Sequence, residues 1–224
     1  MSKALFNLPV LTAALFSIAA TIVLTAVVFA DKPDPPTLML DQPMPAPDFK
    51  VTDHNGETLT KDDLLGRVWV CDFFLTRCNG VCPILGKKMA TLIDEIAKDK
   101  SLDAVRFVSF SVDPEHDTVE RLRAYRKTNR SVWVRGDEDL GELIDQRWAH
   151  ARADDRDAFW RVVSQGFGLF VGEAPNDPST PVGHSSRLVL IDQRGDIRGY
   201  YEGMTDEDTP ALLADIRRLV EGSD

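Results

Sequence analysis

Residues 67–89 read RVWVCDFFLTRCNGVCPILGKKM. The first nine form a near-continuous apolar run rich in β-branched and aromatic side chains, the pattern of a strand buried on both faces. From Pro83 to Ala97 the apolar residues Ile84, Leu85, Met89, Leu92, Ile93 and Ile96 recur at helical spacing. Pro83 suits the first turn of that helix, where a missing amide costs nothing. The join between strand and helix carries Cys78 and Cys82, four residues apart. Unpaired amides and the dipole of a helix N-terminus favour thiolate over thiol. Two neighbouring thiolates repel, and three things relieve them: protonation of one, a disulfide, or a soft cation such as Cu(I) or Zn(II). By itself the pair leaves a disulfide, a redox couple and half of a metal site open.

Working outward, DFKVTDHNGETLT alternates around Asn55-Gly56 and predicts a β-hairpin. Thr60 with Asp63 would cap a short helical turn. AVRFVSFSV (104–112) predicts a second buried strand, and DTVERLRAYRKTN (117–129) an amphipathic helix with Asp117 as N-cap. SVWVRG (131–136) reads as a short strand, 138–167 as two helical pieces, and EAPNDPSTPVG (173–183) as an irregular loop. SSRLVLID and IRGYYEG read as two strands joined by Gln193-Arg194-Gly195-Asp196, and ALLADIRRLV as a closing helix. Strand, helix, strand, helix, then a hairpin and a helix make an α/β layout: a thioredoxin-like fold, a central mixed β-sheet flanked by helices, with an N-terminal β-hairpin.

The 224 residues carry a formal net charge of −10, which argues against nucleic acid as a partner, because phosphate binding needs a basic face. After Lys3 no charged residue occurs until Asp31. That run is long enough for one N-terminal transmembrane helix, which needs roughly 20 apolar residues. Val28-Phe29-Ala30 resembles a small-residue cleavage site, so a signal peptide is the other reading. Either way the following domain is exported. Six of the thirteen prolines fall within 31–47 and suggest an extended spacer. The expected layout is an anchor or signal over 1–30, a Pro-rich linker over 31–46, and the globular domain over 47–224.

Two thiolates do not fill a zinc or copper site, so the histidines matter. His54 reads as a solvated turn residue, His116 as part of the DPEH loop, and His150 as exposed on a charged helix. His184, just ahead of a core strand in PVGHSSRLVLID, would lie beside the cysteine loop in a thioredoxin-like layout. Cys71, inside the buried strand, reads as a small core hydrophobe. Trp69, Trp133, Trp148 and Trp160 read as packing residues, and Arg187 and Arg198 as solvent-facing.

The blocks DFFLTRCNGVCP, FVSFSVDPEHDTVERLRAY and GHSSRLVLIDQRGDIRGYY, with the anchor and spacer, resemble the Sco/SenC family of copper-binding thioredoxin-like proteins over roughly 47–220. The resemblance implies that Cys78, Cys82 and His184 bind copper, as Cu(I) or Cu(II), with Asp113 of the SVDPE block beside the site. It implies a chaperone that delivers copper to the binuclear centre of cytochrome c oxidase. The expected partners are the copper-bearing subunit of that oxidase, other copper carriers or thiol reductants, and the inner membrane, with the domain on the periplasmic side. A thiol–disulfide oxidoreductase using Cys78 and Cys82 is the alternative. The family commonly carries Pro-Asp between the cysteines where this chain has Asn79-Gly80, and the Asp- and Arg-rich stretch 137–159 reads as a helical insertion.

Overall fold

The computed structural model describes residues 35–174 and 181–222. Its strands are β1 (Met44–Pro45), β2 (Lys50–Asp53), β3 (Thr58–Thr60), β4 (Trp69–Phe74), β5 (Arg106–Ser111), β6 (Trp148–Arg152), β7 (Val171–Glu173), β8 (Val182–His184), β9 (Arg187–Ile191) and β10 (Asp196–Glu202). Its α-helices are α1 (Val81–Ala97), α2 (Val119–Val134), α3 (Glu138–Arg147), α4 (Arg156–Arg161) and α5 (Thr209–Glu221). One sheet runs in the order β1-β10-β9-β4-β5-β6-β2-β3, and β7 pairs with β8 separately. Strands β4, β5 and β6 are parallel, and β9 runs antiparallel against β4, so the sheet is mixed.

The parallel pair β4/β5 needs a crossover, and α1 supplies it. All six residues of β4 are buried, as the apolar run requires. Alternation divides them: Trp69, Cys71 and Phe73 pack with Phe49, Phe110 and Phe167 on one face. Val70 faces the other side, against Leu85, Met89, Leu92, Ile93 and Ile96 of α1. Each of those five side chains is fully buried, worth roughly 1.5–3 kcal/mol apiece in area removed from water. The hairpin β2/β3 turns at Gly56, whose φ of 88° suits glycine. Asp63 accepts from both the amide and the hydroxyl of Thr60, but the short helical turn Asp62–Leu64 has Lys61 as its N-cap, with no side-chain hydrogen bond, and not Thr60.

Several expectations need correction. SVWVRG is not a strand: Ser131–Val134 extend α2, which ends at Arg135 in the left-handed conformation. Trp133 decides this, packing at a tilt on Trp148 with 4.6 Å between ring centres, stacking on His150 at 5.4 Å and packing against Gly86 of α1. The third parallel strand is instead β6, inside the stretch read as helical. The segment 137–159, read as a helical insertion, therefore contains a core strand. The N-cap of α2 is Thr118, whose hydroxyl accepts from the Arg121 amide, and not Asp117. The ends of the loop 173–183 pair as β7 and β8, with 175–180 outside the described residues. Residues 35–46 do not behave as a free spacer. Leu38 donates its amide to Asp215, Leu40 to the Arg198 carbonyl, and Met44–Pro45 add an edge strand to β10. The anchor expected over 1–30 lies outside the described residues, among which no helix is long and apolar enough to cross a membrane.

Asp72 breaks the apolar run of β4 and lies on the α1 face, 1% exposed. Trp148 Nε1 donates to Ser109 Oγ at 2.8 Å, and Ser109 Oγ donates in turn to Asp72. Burial raises this carboxyl to about 7, with the Ser109 hydrogen bond opposing. A raised carboxyl pKa makes ionisation costly in the fold: stability is full below about pH 4 and falls as pH rises to about 7. Asp72→Asn, which mimics the protonated acid, should remove that loss. The variant should gain on the wild type between pH 4 and pH 8 by up to roughly 4 kcal/mol in urea titrations. Parallel pH dependences for the two proteins would contradict the assignment.

Candidate metal centre

The loop between β4 and α1 is held by the loop between β5 and α2. Asp117, fully buried, accepts from the Thr76 amide at 3.0 Å, from Thr76 Oγ1 at 2.5 Å and from Ser111 Oγ at 2.6 Å. Asp113 accepts from Arg77 Nε and ion-pairs with Nη2, both at 2.7 Å. The two residues before Cys78 are thus gripped by two aspartates, and the Cys78 amide closes the turn on the Leu75 carbonyl. Asp113 acts on the cysteine loop through Arg77. The sequence marked Asp113, in its Asp-Pro turn, but missed Asp117 in this role.

Helix α1 begins at Val81 after Gly80, so Cys82 lies in its first turn and Cys78 just ahead of it. Both cysteines are free thiols, 4% and 1% exposed. A hydrogen bond from Cys82 lowers the Cys78 thiol to about 5, helped by the amides of Cys82, Gly80 and Val81 and opposed by burial. The same hydrogen bond, with burial, pushes Cys82 up. The pair shares one proton and titrates as a unit.

His184 reaches the pair from β8, which β7 holds by pairing Val171 with His184. Its Nε2 stands 3.6 Å from Cys82 Sγ. Its Nδ1 lies 2.9 Å from the Ser185 carbonyl, an acceptor only, so Nδ1 carries the proton and Nε2 keeps its lone pair toward the sulfur. Burial lowers the imidazole pKa and keeps it neutral, the ligating form. Gly203 allows the loop this position: a Cβ there would lie 2.3 Å from the Ser186 carbonyl and 2.4 Å from Leu85 of α1.

Metal bonds of about 2.3 Å to sulfur and about 2.0 Å to nitrogen, at angles between tetrahedral and trigonal, leave the two ligand atoms roughly 3.5–3.7 Å apart. The 3.6 Å between Cys82 Sγ and His184 Nε2 falls in that range. Among the described residues no three His, Cys, Asp or Glu side chains form a ready-made metal cage, so Cys78 would have to close on the ion.

The other histidines lie elsewhere. His54 is 9% exposed, not solvated, and burial and the Arg126 charge lower it to about 4. His150 is 1% exposed on β6, its Nδ1 accepting from Arg126 at 2.8 Å. His116 sits with Arg121. Cys71 is fully buried and its thiol is raised by desolvation, as a core residue. Arg198, expected at the surface, is 7% exposed and ion-paired with Asp192 at 3.0 Å.

The thiolate geometry predicts the pH profile of alkylation. Cys78 in the reduced fold should react with iodoacetamide with a midpoint near pH 5, and in the denatured chain with one near the ordinary 8.5. A folded-state midpoint above 8 would remove the shared-proton assignment.

Known proteins resemble this chain in sequence and in fold. The SCO1/SenC sequence pattern matches residues 40–221. The zebrafish (Danio rerio) mitochondrial SCO2 homologue is 28% identical over 165 residues, covering 71% of this chain and 52% of its own. The chain spans about half the length of that relative, or of human mitochondrial SCO1 homologue, of which it covers 49%. A SCO1/SenC family lipoprotein from Bacillus anthracis superposes with a TM-score of 0.67 at 29% identity, over 80% of this chain and 98% of that one. Arabidopsis thaliana ScoI, solved with copper bound, shares the fold at 21% identity and a TM-score of 0.61, over 77% of this chain and 98% of its own. With the thioredoxin-like fold common to them, this chain belongs to the SCO1/SenC family.

Proposed function

We propose that the chain is a copper carrier for cytochrome c oxidase assembly, with Cys78, Cys82 and His184 as the copper ligands. The observation that carries the reading is the 3.6 Å approach of His184 Nε2, lone pair forward, to Cys82 Sγ. Two thiolates and a neutral imidazole suit three-coordinate Cu(I), and the same set holds Cu(II) when an oxygen completes it. So low a coordination number leaves the ion open to ligand exchange with a recipient, the copper-bearing oxidase subunit in this reading. Asp113, through Arg77, and Asp117, through Thr76, fix the backbone that presents Cys78. Asn79-Gly80 gives that segment the backbone latitude of a glycine with which to close. The 1–30 segment as a single membrane anchor, with the 47–224 domain on the periplasmic side, completes the proposal.

One observation favours a second use of the same pair. A low-pKa Cys78 beside a protonated Cys82 is the arrangement of a dithiol reductant, which would keep a recipient's cysteines reduced. Disulfide exchange does not need His184, so the histidine separates the two uses.

Titrating the reduced protein should give one copper per chain and, for Cu(II), an intense sulfur-to-copper charge-transfer band. His184→Ala should weaken Cu(II) by at least the roughly 10- to 100-fold that even an outer-sphere loss costs, and leave the dithiol oxidisable. Wild-type copper affinity in that variant would eliminate His184 as a ligand, and no copper binding by the reduced wild type would eliminate the carrier. Cys71→Ser should leave the stoichiometry unchanged.

A further inference from the structure

Beside Cys78 lies a groove of about 410 Å³ that neither the ligand set nor the loop anchors explain. Its walls include Arg77, Asn79, His116, Arg121, Tyr125 and Thr128. The two arginines differ. Arg77 is neutralised by Asp113. Arg121 is not: its Nη1 lies 2.7 Å from the His116 carbonyl and 2.6 Å from His116 Nδ1, and no carboxylate pairs with it among the described residues. Nε and Nη2, with three N–H groups between them, have no protein acceptor there. Arg121 is exposed on the groove wall, so those donors face solvent and are open to an anion that enters the groove. The groove is of a size for a peptide fragment or small molecule.

We propose that this groove is a recognition subsite for a carboxylate carried by the thiol or disulfide that meets Cys78, with Arg121 as its anion anchor. The inference rests on the reading of Cys78 and Cys82 as the functional pair. His116, accepting from Arg121 at Nδ1, carries its own proton at Nε2 and orients the guanidinium. A molecule whose sulfur approaches Cys78 and whose carboxylate lies a few bonds away can engage both. The source is either a small free thiol or a partner chain with an acidic residue near its cysteine.

The test uses the full chain, reduced, and small symmetrical disulfides RSSR of different charge. In the reaction the Cys78 thiolate attacks one sulfur and expels RS⁻. Cys82 then attacks the Cys78 sulfur, expels the second RS⁻ and releases its proton, so two electrons pass from the dithiol to RSSR. Dithiodipropionate is the anionic probe and hydroxyethyl disulfide the neutral one. The anionic-to-neutral rate ratio should fall roughly ten-fold in Arg121→Gln. It should largely recover in Arg121→Lys and change less than about two-fold in Arg123→Gln, whose guanidinium binds the His54 and Asn55 carbonyls outside the groove. Equal ratios in wild type and Arg121→Gln, or equal losses in the Arg121 and Arg123 variants, would overturn the subsite. Should the neutral disulfide fail to oxidise the pair, the redox use fails, and the subsite is read from the rate ratio of iodoacetate to iodoacetamide at Cys78, with the same outcomes. Glutathione disulfide against the disulfide of a cysteine peptide flanked by glutamate then distinguishes a free from a chain-borne carboxylate by which loses more rate in Arg121→Gln.

Discussion

The parallel pairing of β4 with β5 is the constraint on which the site depends. Its register matches Trp69 with Arg106 through Phe74 with Ser111, and the Val112 amide continues it onto the Phe74 carbonyl. Parallel neighbours end at the same edge of a sheet, so the cysteine loop and the 112–118 loop emerge side by side. Only then can Asp113 and Asp117 reach residues about 40 positions earlier in the chain. Antiparallel β9 closes the other side of β4 and delivers the segment ahead of it, with His184, to the same edge. Three segments far apart in sequence meet there without any of them carrying a site alone.

That edge is expensive to build. Asp72, Asp113, Asp117 and His150 are all nearly or fully buried, and a buried charge or polar group without a partner costs several kcal/mol. Each is answered: Asp72 by Ser109, Asp113 by Arg77, Asp117 by two hydroxyls and an amide, His150 by Arg126. The two sulfurs are buried beside these paired polar groups, with a groove open on the Cys78 side. The segment 35–46 adds to the same economy, covering the outer edge at β10 that would otherwise present unpaired amides.

Legibility in the sequence followed the length and regularity of each pattern. The β4 run and the α1 stripe were readable because each buries many apolar groups with one period. β6 was not: WAHAR has two alanines, a histidine and an arginine, with little intrinsic strand preference, and it is a strand because β5 and β2 lie on either side to pair with it. SVWVRG failed in the opposite direction, its β-branched residues being overruled by the fit of Trp133 among Trp148, His150 and Gly86. His54 and His150 misled for a related reason. Polar neighbours in sequence suggested exposure, whereas burial is decided by what packs over a residue in space.

By itself the sequence determined the chemistry available: two cysteines at a strand-to-helix junction, a histidine ahead of a late strand, and the α/β order that makes their meeting feasible. These are local facts of composition and period, and local interactions fix them. The tertiary structure alone decided that His184 turns its unprotonated nitrogen to Cys82 and that Asp117 anchors the loop instead of capping a helix. It also decided that Arg121 lines the groove beside Cys78 with no carboxylate paired to it among the described residues. Those are relations between atoms whose residues lie five to more than a hundred positions apart. A one-dimensional pattern does not encode such distances; the packing of a sheet edge does.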